Sequence, residues 1–163
     1  MRPWPTTWRV GGGAALAVLV LDQASKWLIL AWAMQPPRVV PVAPFFNLVL
    51  ARWNRGISFS LFDSGSPAAP WILSGLALGI VAGLVWWLRR LDRRWPALGV
   101  GLVIGGALGN VVDRLRFGAV VDFLDFHLAG AHWPAFNLAD SAISVGVAVL
   151  LADGLFARPE RAK

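Results

Sequence analysis

The sequence predicts an all-α membrane protein of four transmembrane helices, with a small extracytoplasmic β-hairpin or β-sheet element. Three observations carry that prediction. Hydrophobic residues make up 57% of the 163-residue chain and charged residues only 15%, where a soluble domain carries about 25% charged. Four apolar segments are each near the roughly 20 residues needed to cross a hydrocarbon core of about 30 Å. Between the first two, residues 35–67 carry prolines at 36, 37, 41 and 44 that no continuous helix tolerates. Ten tryptophans and 17 glycines fit this class, since Trp favours membrane interfaces and Gly permits close helix approach. The length suits one membrane domain spanning 1–163. The chain has no cysteine, which excludes disulfides, thiolate metal sites and Cys nucleophiles.

After a basic and aromatic lead-in over residues 1–9, the first span covers residues 10–34. It is interrupted by Asp22 and Lys26, an i,i+4 pair that reads as an internally neutralised ion pair. No small-residue cleavage site follows a short apolar core, so the span is expected to be retained. The β-element lies at about 38–63. Phe46–Trp53 and Ile57–Phe62 are rich in β-branched and aromatic residues, and Asn54-Arg55-Gly56 between them is a turn signal, which together predict a hairpin. Bare strand edges cannot sit in lipid, so the hairpin belongs at the membrane surface or against the bundle. The second span, 68–88, ends in Trp86-Trp87 before a basic run. The third, 97–114, contains Gly99, Gly101, Gly105, Gly106 and Gly109, whose spacings of four (101/105 and 105/109) predict close helix packing. After a polar loop comes the fourth span, 137–156.

Four spans put both termini on one side of the membrane. The segments and helix ends on that side hold nine basic and three acidic residues, against six and six opposite, so the whole surplus of +6 lies with the termini. The positive-inside rule then makes the termini cytoplasmic and turns the hairpin and the polar stretch outward. Nucleic acid is not needed to explain the charge.

Polar residues near a bilayer mark function by default, and they concentrate between Gly105 and Gly146. Asp122 follows the third span and Asp140 opens the fourth, so the topology returns both carboxylates to one outer level. Two carboxylates sharing a site cannot both ionise cheaply, and a pair sharing one proton supports hydrolysis by activating water and polarising a carbonyl. The structural alternative is equally available from spacing: Asp140 favouring a helix N-terminus, and Asp122 paired with Arg114 or Arg116. A proton- or ion-coupled transporter using the outer-face carboxylates is a third reading. It is weakened because the acids gather at one face. Asn110 sits four residues before Arg114 and shares its helix face, and Asn137 is placed as an N-cap three residues before Asp140. Asp113 reads as a structural partner and Asp125 as loop surface. His127 and His132 form no HExxH pattern and read as solvated loop histidines, with no metal site expected. No G-x-S-x-G supports a serine nucleophile.

At these residues the chain resembles the bacterial lipoprotein signal peptidase (signal peptidase II) family of intramembrane aspartyl peptidases. Asp22-Gln23-Ala24-Ser25-Lys26 is similar to that family's D-Q-x-[ST]-K segment, and Asn54-Arg55-Gly56-Ile57-Ser58-Phe59-Ser60 to its N-x-G-x-[AS]-F-[SG] segment. Gly105 to Arg114 matches G-G-x-x-G-N-x-x-D-R, Val120 to Phe123 matches V-V-D-F, and Phe136 to Ile143 matches F-N-x-A-D-x-x-I. Five segments occur in the family's order over residues 22–143. Ile57 stands where Ala is usual, a departure that touches no catalytic group. The resemblance implies Asp122 and Asp140 as the catalytic dyad, with Asn54, Asn110, Arg114 and Asn137 orienting substrate or dyad. It implies cleavage of diacylglyceryl-modified prolipoproteins immediately before the lipidated cysteine, at the outer face of the bacterial cytoplasmic (inner) membrane. Membrane lipids are the expected surroundings, a monomer the expected state, and no cofactor is implied.

Overall fold

The structure, a computed structural model, describes residues 5–33, 36–54 and 68–156. In chain order it forms helix α1 (Thr6–Leu28), prolonged by a π-helical turn (Ile29–Ala33); strands β1 (Val40–Ala43) and β2 (Phe46–Asn54); helices α2 (Ala69–Leu88) and α3 (Arg94–Phe117); strands β3 (Val120–Leu128) and β4 (Ala131–His132); and helix α4 (Leu138–Phe156). Among the described residues four helices are long and apolar enough to cross a membrane. Two of them outrun their apolar cores. α1 begins at Thr6, just after Pro5 at φ −52°, a value the proline ring imposes and a helix start accepts. α3 continues past its apolar stretch through Arg114, Leu115 and Arg116, all good helix formers. It stops at Gly118, whose left-handed φ of +70° lets its N–H return to the Arg114 carbonyl.

α3 is the central helix. Its buried residues run all along its length, whereas α1, α2 and α4 keep outward apolar faces that include Leu16, Trp71, Leu76 and Leu155. Water would not tolerate apolar surface of that extent, and lipid does. Glycines set how near the neighbours come. A Cβ on Gly101 would strike the Gly11 carbonyl, and one on Gly105 would lie 2.8 Å from Val18 Cβ, both on α1. On another face, a Cβ on Gly99 would lie 2.9 Å from the Gly146 carbonyl and one on Gly106 would strike that of Ala139, both on α4. The 101/105 spacing is thus a packing seam, and a second seam of spacing seven opposes it.

The β-element is a small antiparallel sheet that contains the first strand of the expected hairpin. β2 forms over Phe46–Asn54, and among the described residues its neighbours are β1 and β3, in a four-stranded antiparallel sheet of order β1-β2-β3-β4. The segment Ile57–Phe62, expected as its partner, lies outside the described residues. Pro41 sits in β1, an edge strand with an irregularity between Pro41 and Ala43, where a missing N–H is tolerated. The expected polar loop after the third span is largely β3 and β4, joined at Ala129-Gly130 with φ of +50° and +83°, as a two-residue hairpin turn requires. Phe46 and Phe126 pair across β2 and β3 with ring centroids 4.7 Å apart, and Phe136 stacks on Phe126 at 5.8 Å. Phe123 packs on Ile29, seating the sheet on the end of α1.

At the other end of the bundle, Arg93 pairs with Asp153 at 2.7 Å and Arg90 lies 3.9 Å over the Trp86 ring. That basic and aromatic end suits a membrane interface.

The seams yield a stability test. Gly105→Leu forces α1 off α3, so its apparent melting temperature in detergent micelles should fall by on the order of 5 °C or more, from overpacking of about 1–3 kcal/mol. Gly79→Leu, on a face of α2 with open space around it, should leave the melting temperature within about a degree. Equal effects of the two substitutions would contradict the seam.

Candidate active site

The site begins with the polar residues of α1. Asp22 and Lys26 are one turn apart and buried (0% and 2% exposed). Their ion pair forms, at 2.8 Å, but Lys26 also pairs with Asp113 of α3 at 2.7 Å. Two carboxylates therefore share one ammonium, and each uses its other bonds to hold a separate element. Asp22 Oδ1 accepts the Ala139 N–H at 3.0 Å, in the first turn of α4, where a negative charge meets the positive helix end. Asp113 Oδ2 accepts the Val121 N–H of β3 at 3.1 Å. Gln23 donates to Asp22 at 3.1 Å and to Asp113 at 3.0 Å. Asp113 is thus a structural partner as expected, and Gln23 is the member the residue-by-residue reading missed. Its signal was available, since it is the second residue of the D-Q-x-[ST]-K segment.

Against this frame lie Asp122 and Asp140. Asp122 is on β3, 2% exposed, delivered there by the turn at Gly118. Asp140 is half-buried in the first turn of α4. Asn137 bridges them: its Nδ2 donates to Asp122 Oδ1 at 2.7 Å, while its Oδ1 accepts the Asp140 N–H at 3.0 Å. Asp140 Oδ2 returns an acceptor to the Asn137 N–H at 3.3 Å, completing a reciprocal cap. Asn137 is therefore the N-cap that its position suggested and a ligand of Asp122 as well. Asn110 Nδ2 donates to Asp140 Oδ1 at 2.8 Å, and Asn110 Oδ1 accepts from Lys26 at 3.2 Å. Arg114 is half-buried, lies within electrostatic reach of Asp140, Asp113 and Asp122, and donates to the Asn110 carbonyl at 3.4 Å. The backbone of Ala51 is the cross-strand partner of Asp122, and that of Asn54 partners Val120. The Asn54 side chain lies outside the described residues.

Gly109 completes the packing beneath the site. A Cβ there would strike the Asp22 carboxylate, so the second glycine spacing, 105/109, clears room for the polar frame.

Asp125 is not loop surface. It is buried on β3, three residues from Asp122 and so of opposite strand parity. Its carboxylate meets His132 Nδ1 at 2.8 Å and accepts from Asn47 at 3.0 Å. Hydrogen bonds from His132 first, and then from Asn47, hold the Asp125 carboxyl below the usual carboxylate value. His132 is half exposed but bonded, and its ring stacks on that of His127 at 5.0 Å. Among the described residues no three His, Asp or Glu side chains gather as metal ligands would.

Chemically, the arrangement offers two carboxylates of different exposure, each fixed by an asparagine amide donor, with a guanidinium beside them. This suits proton transfer and carbonyl polarisation at one locus.

A family model described as signal peptidase (SPase) II matches residues 14–156. The lipoprotein signal peptidase of Beijerinckia indica is 49% identical over 145 residues, covering 88% of this chain and 86% of its own length. That of Nitrobacter hamburgensis is 47% identical, covering 94% of this chain and 96% of its own length. A solved bacterial membrane enzyme, determined by the in meso method at 1.9 Å, is similar with a TM-score of 0.74 at 30% identity, covering 89% of this chain and 92% of that one.

The depressed Asp125 carboxyl makes an acid-side prediction. Its charged form is favoured in the folded state, so its stabilisation is present above the unfolded carboxylate value near 3.8 and is lost as pH falls through the lower folded value. Asp125→Asn should therefore melt below the native protein at pH 7, and the two melting curves should converge as pH drops below 3.8. A gap that stays constant with pH would refute the ionic origin.

Proposed function

The chain belongs to the signal peptidase II family, a family of aspartic peptidases, and from that premise we propose that Asp122 and Asp140 are its catalytic dyad. The substrates are diacylglyceryl-modified bacterial prolipoproteins, whose signal peptide is removed immediately before the lipidated cysteine. The single observation that carries this reading is Asn137, whose one side chain donates to Asp122 and caps the helix turn bearing Asp140. A side chain bonded to the Asp122 carboxylate and to the Asp140 backbone N–H holds the two acids at one locus, and a surface cap alone has no need of the bond to Asp122.

The reaction follows from one proton held by two carboxyls. The ionised carboxylate takes a proton from water as the water oxygen attacks the scissile carbonyl. The protonated carboxyl donates toward the carbonyl oxygen, where negative charge develops. Collapse of the tetrahedral intermediate breaks the C–N bond, and a proton passes to the departing amine. The amides of Asn110 and Asn137 hold the acids in place, and Arg114 offers positive charge beside them. Asn54, whose backbone ends the strand flanking Asp122, joins them in orienting substrate or dyad.

The scissile segment must be extended, since a helix keeps its carbonyls in internal bonds. The β-element, which carries Asp122 on β3, receives or covers that extended segment. The lipid-bearing substrate arrives laterally through the bilayer. The charge surplus at the termini supports a multi-pass protein of the bacterial cytoplasmic membrane, termini inside and dyad near the outer face. The enzyme acts as a monomer among membrane lipids. Asp22, Asp113, Asp122 and Asp140 converge on one network, which favours hydrolysis over a relay stepping across the bilayer.

Asp122→Asn and Asp140→Asn should each retain expression and membrane insertion but lower cleavage of a diacylglyceryl-modified prolipoprotein at least about a hundredfold, read by gel shift with purified protein. Near-native cleavage by either variant would sink the dyad, and proton-coupled flux into liposomes without cleavage would favour a transporter.

A further inference from the structure

Lys26 touches neither candidate catalytic acid, yet it determines what Asp140 meets. An ammonium has three donors and no acceptor. Here it donates to Asp22 at 2.8 Å and to Asn110 Oδ1 at 3.2 Å, and lies in ion-pair contact with Asp113 at 2.7 Å. Asn110 can therefore face Lys26 only with its carbonyl oxygen, and that forces its Nδ2 toward Asp140 Oδ1, 2.8 Å away. With the amide turned over, two sets of N–H donors would oppose each other on one side and two oxygens on the other. Asn137 reinforces the choice from the opposite direction, its Nδ2 lying 3.4 Å from the same Asn110 oxygen.

We infer that Lys26 is a positioning residue for Asp140, acting by locking the Asn110 side-chain amide in its donating orientation. The inference rests on the dyad reading for its catalytic consequence, although not for the orientation itself. It gives the α1 ion pair a purpose beyond neutrality. Asp22 and Asp113 hold the ammonium at one point, and Asn110 converts that fixed charge into a fixed neutral donor at the acid. A charge placed directly on Asp140 would tie up its carboxylate, whereas an amide orients it and leaves it free to exchange a proton.

The test is made on the full chain in detergent micelles, with asparagine side chains 15N-labelled. Removing Lys26 alone strands two buried carboxylates and threatens folding, so the variant is Lys26→Met/Asp113→Asn, which keeps the net charge of the cluster and an acceptor for the Val121 N–H. In the otherwise native protein the Asn110 amide resonances should shift when Asp140 is replaced by Asn. In the charge-matched variant that response should be lost. The same variant should lower kcat about tenfold at unchanged KM, the worth of one hydrogen bond to a charged group, and lower it no further when Asn110 is already Ala. Undiminished sensitivity of the Asn110 resonances to Asp140, or an equal drop in kcat with and without Asn110, would overturn the inference. The two readings separate cleanly: resonances behaving as expected while Asp140→Asn cleaves at the native rate would uphold the orientation and discard the dyad.

Discussion

A lysine ammonium buried among apolar helices is the constraint on which this architecture turns. Removing a charge from water costs several kcal/mol even after relaxation, and the loss is recovered only by close, well-bonded partners. Lys26 has two such carboxylates, one from its own helix and one from α3. Two acids on one base leave acceptor capacity over, and that surplus is spent on backbone N–H groups of α4 and β3. Neutralising the lysine and joining four elements are thus one set of bonds. Hydrophobic burial between lipid-bathed helices supplies little of this specificity, since the surrounding tails are as apolar as the helix faces.

Such short polar bonds need backbones that approach closely, and glycine provides the approach. α3 touches α1 through Gly101 and Gly105 and α4 through Gly99 and Gly106, while Gly109 leaves the volume that the Asp22 carboxylate fills. Larger residues would hold the helices apart by more than a hydrogen bond can span. The small residues and the polar frame are therefore two halves of one requirement.

The candidate acids inherit their positions from that frame. Val121, whose N–H is held by Asp113, immediately precedes Asp122, and Ala139, whose N–H is held by Asp22, immediately precedes Asp140. Each acid is thus one residue from an anchor on the same buried cluster. Asn137 then links the two acids directly. Rigid placement by an outer set of bonds is what proton-transfer chemistry asks of a scaffold.

Much of this was legible in the residues alone. The four spans follow from apolar length, the Asp22–Lys26 pair from helical spacing, the Asn137 cap from its place before the fourth span, and the glycine seam from spacing by four. Each is a local property, settled within a turn or two of helix. What the chain order could not supply was long-range pairing. β3 reads as a polar loop because its two aspartates and its histidine mask its apolar residues, and only pairing with β2, far earlier in the chain, makes it a strand. Asp125 is drawn from the surface by Asn47 and His132, and Lys26 gains its second carboxylate from across the bundle. Sequence by itself determined which segments are helical and which polar groups need partners. Tertiary structure alone decided which partners they find, because a buried charge is satisfied by whatever lies within about 3 Å, wherever in the chain it comes from.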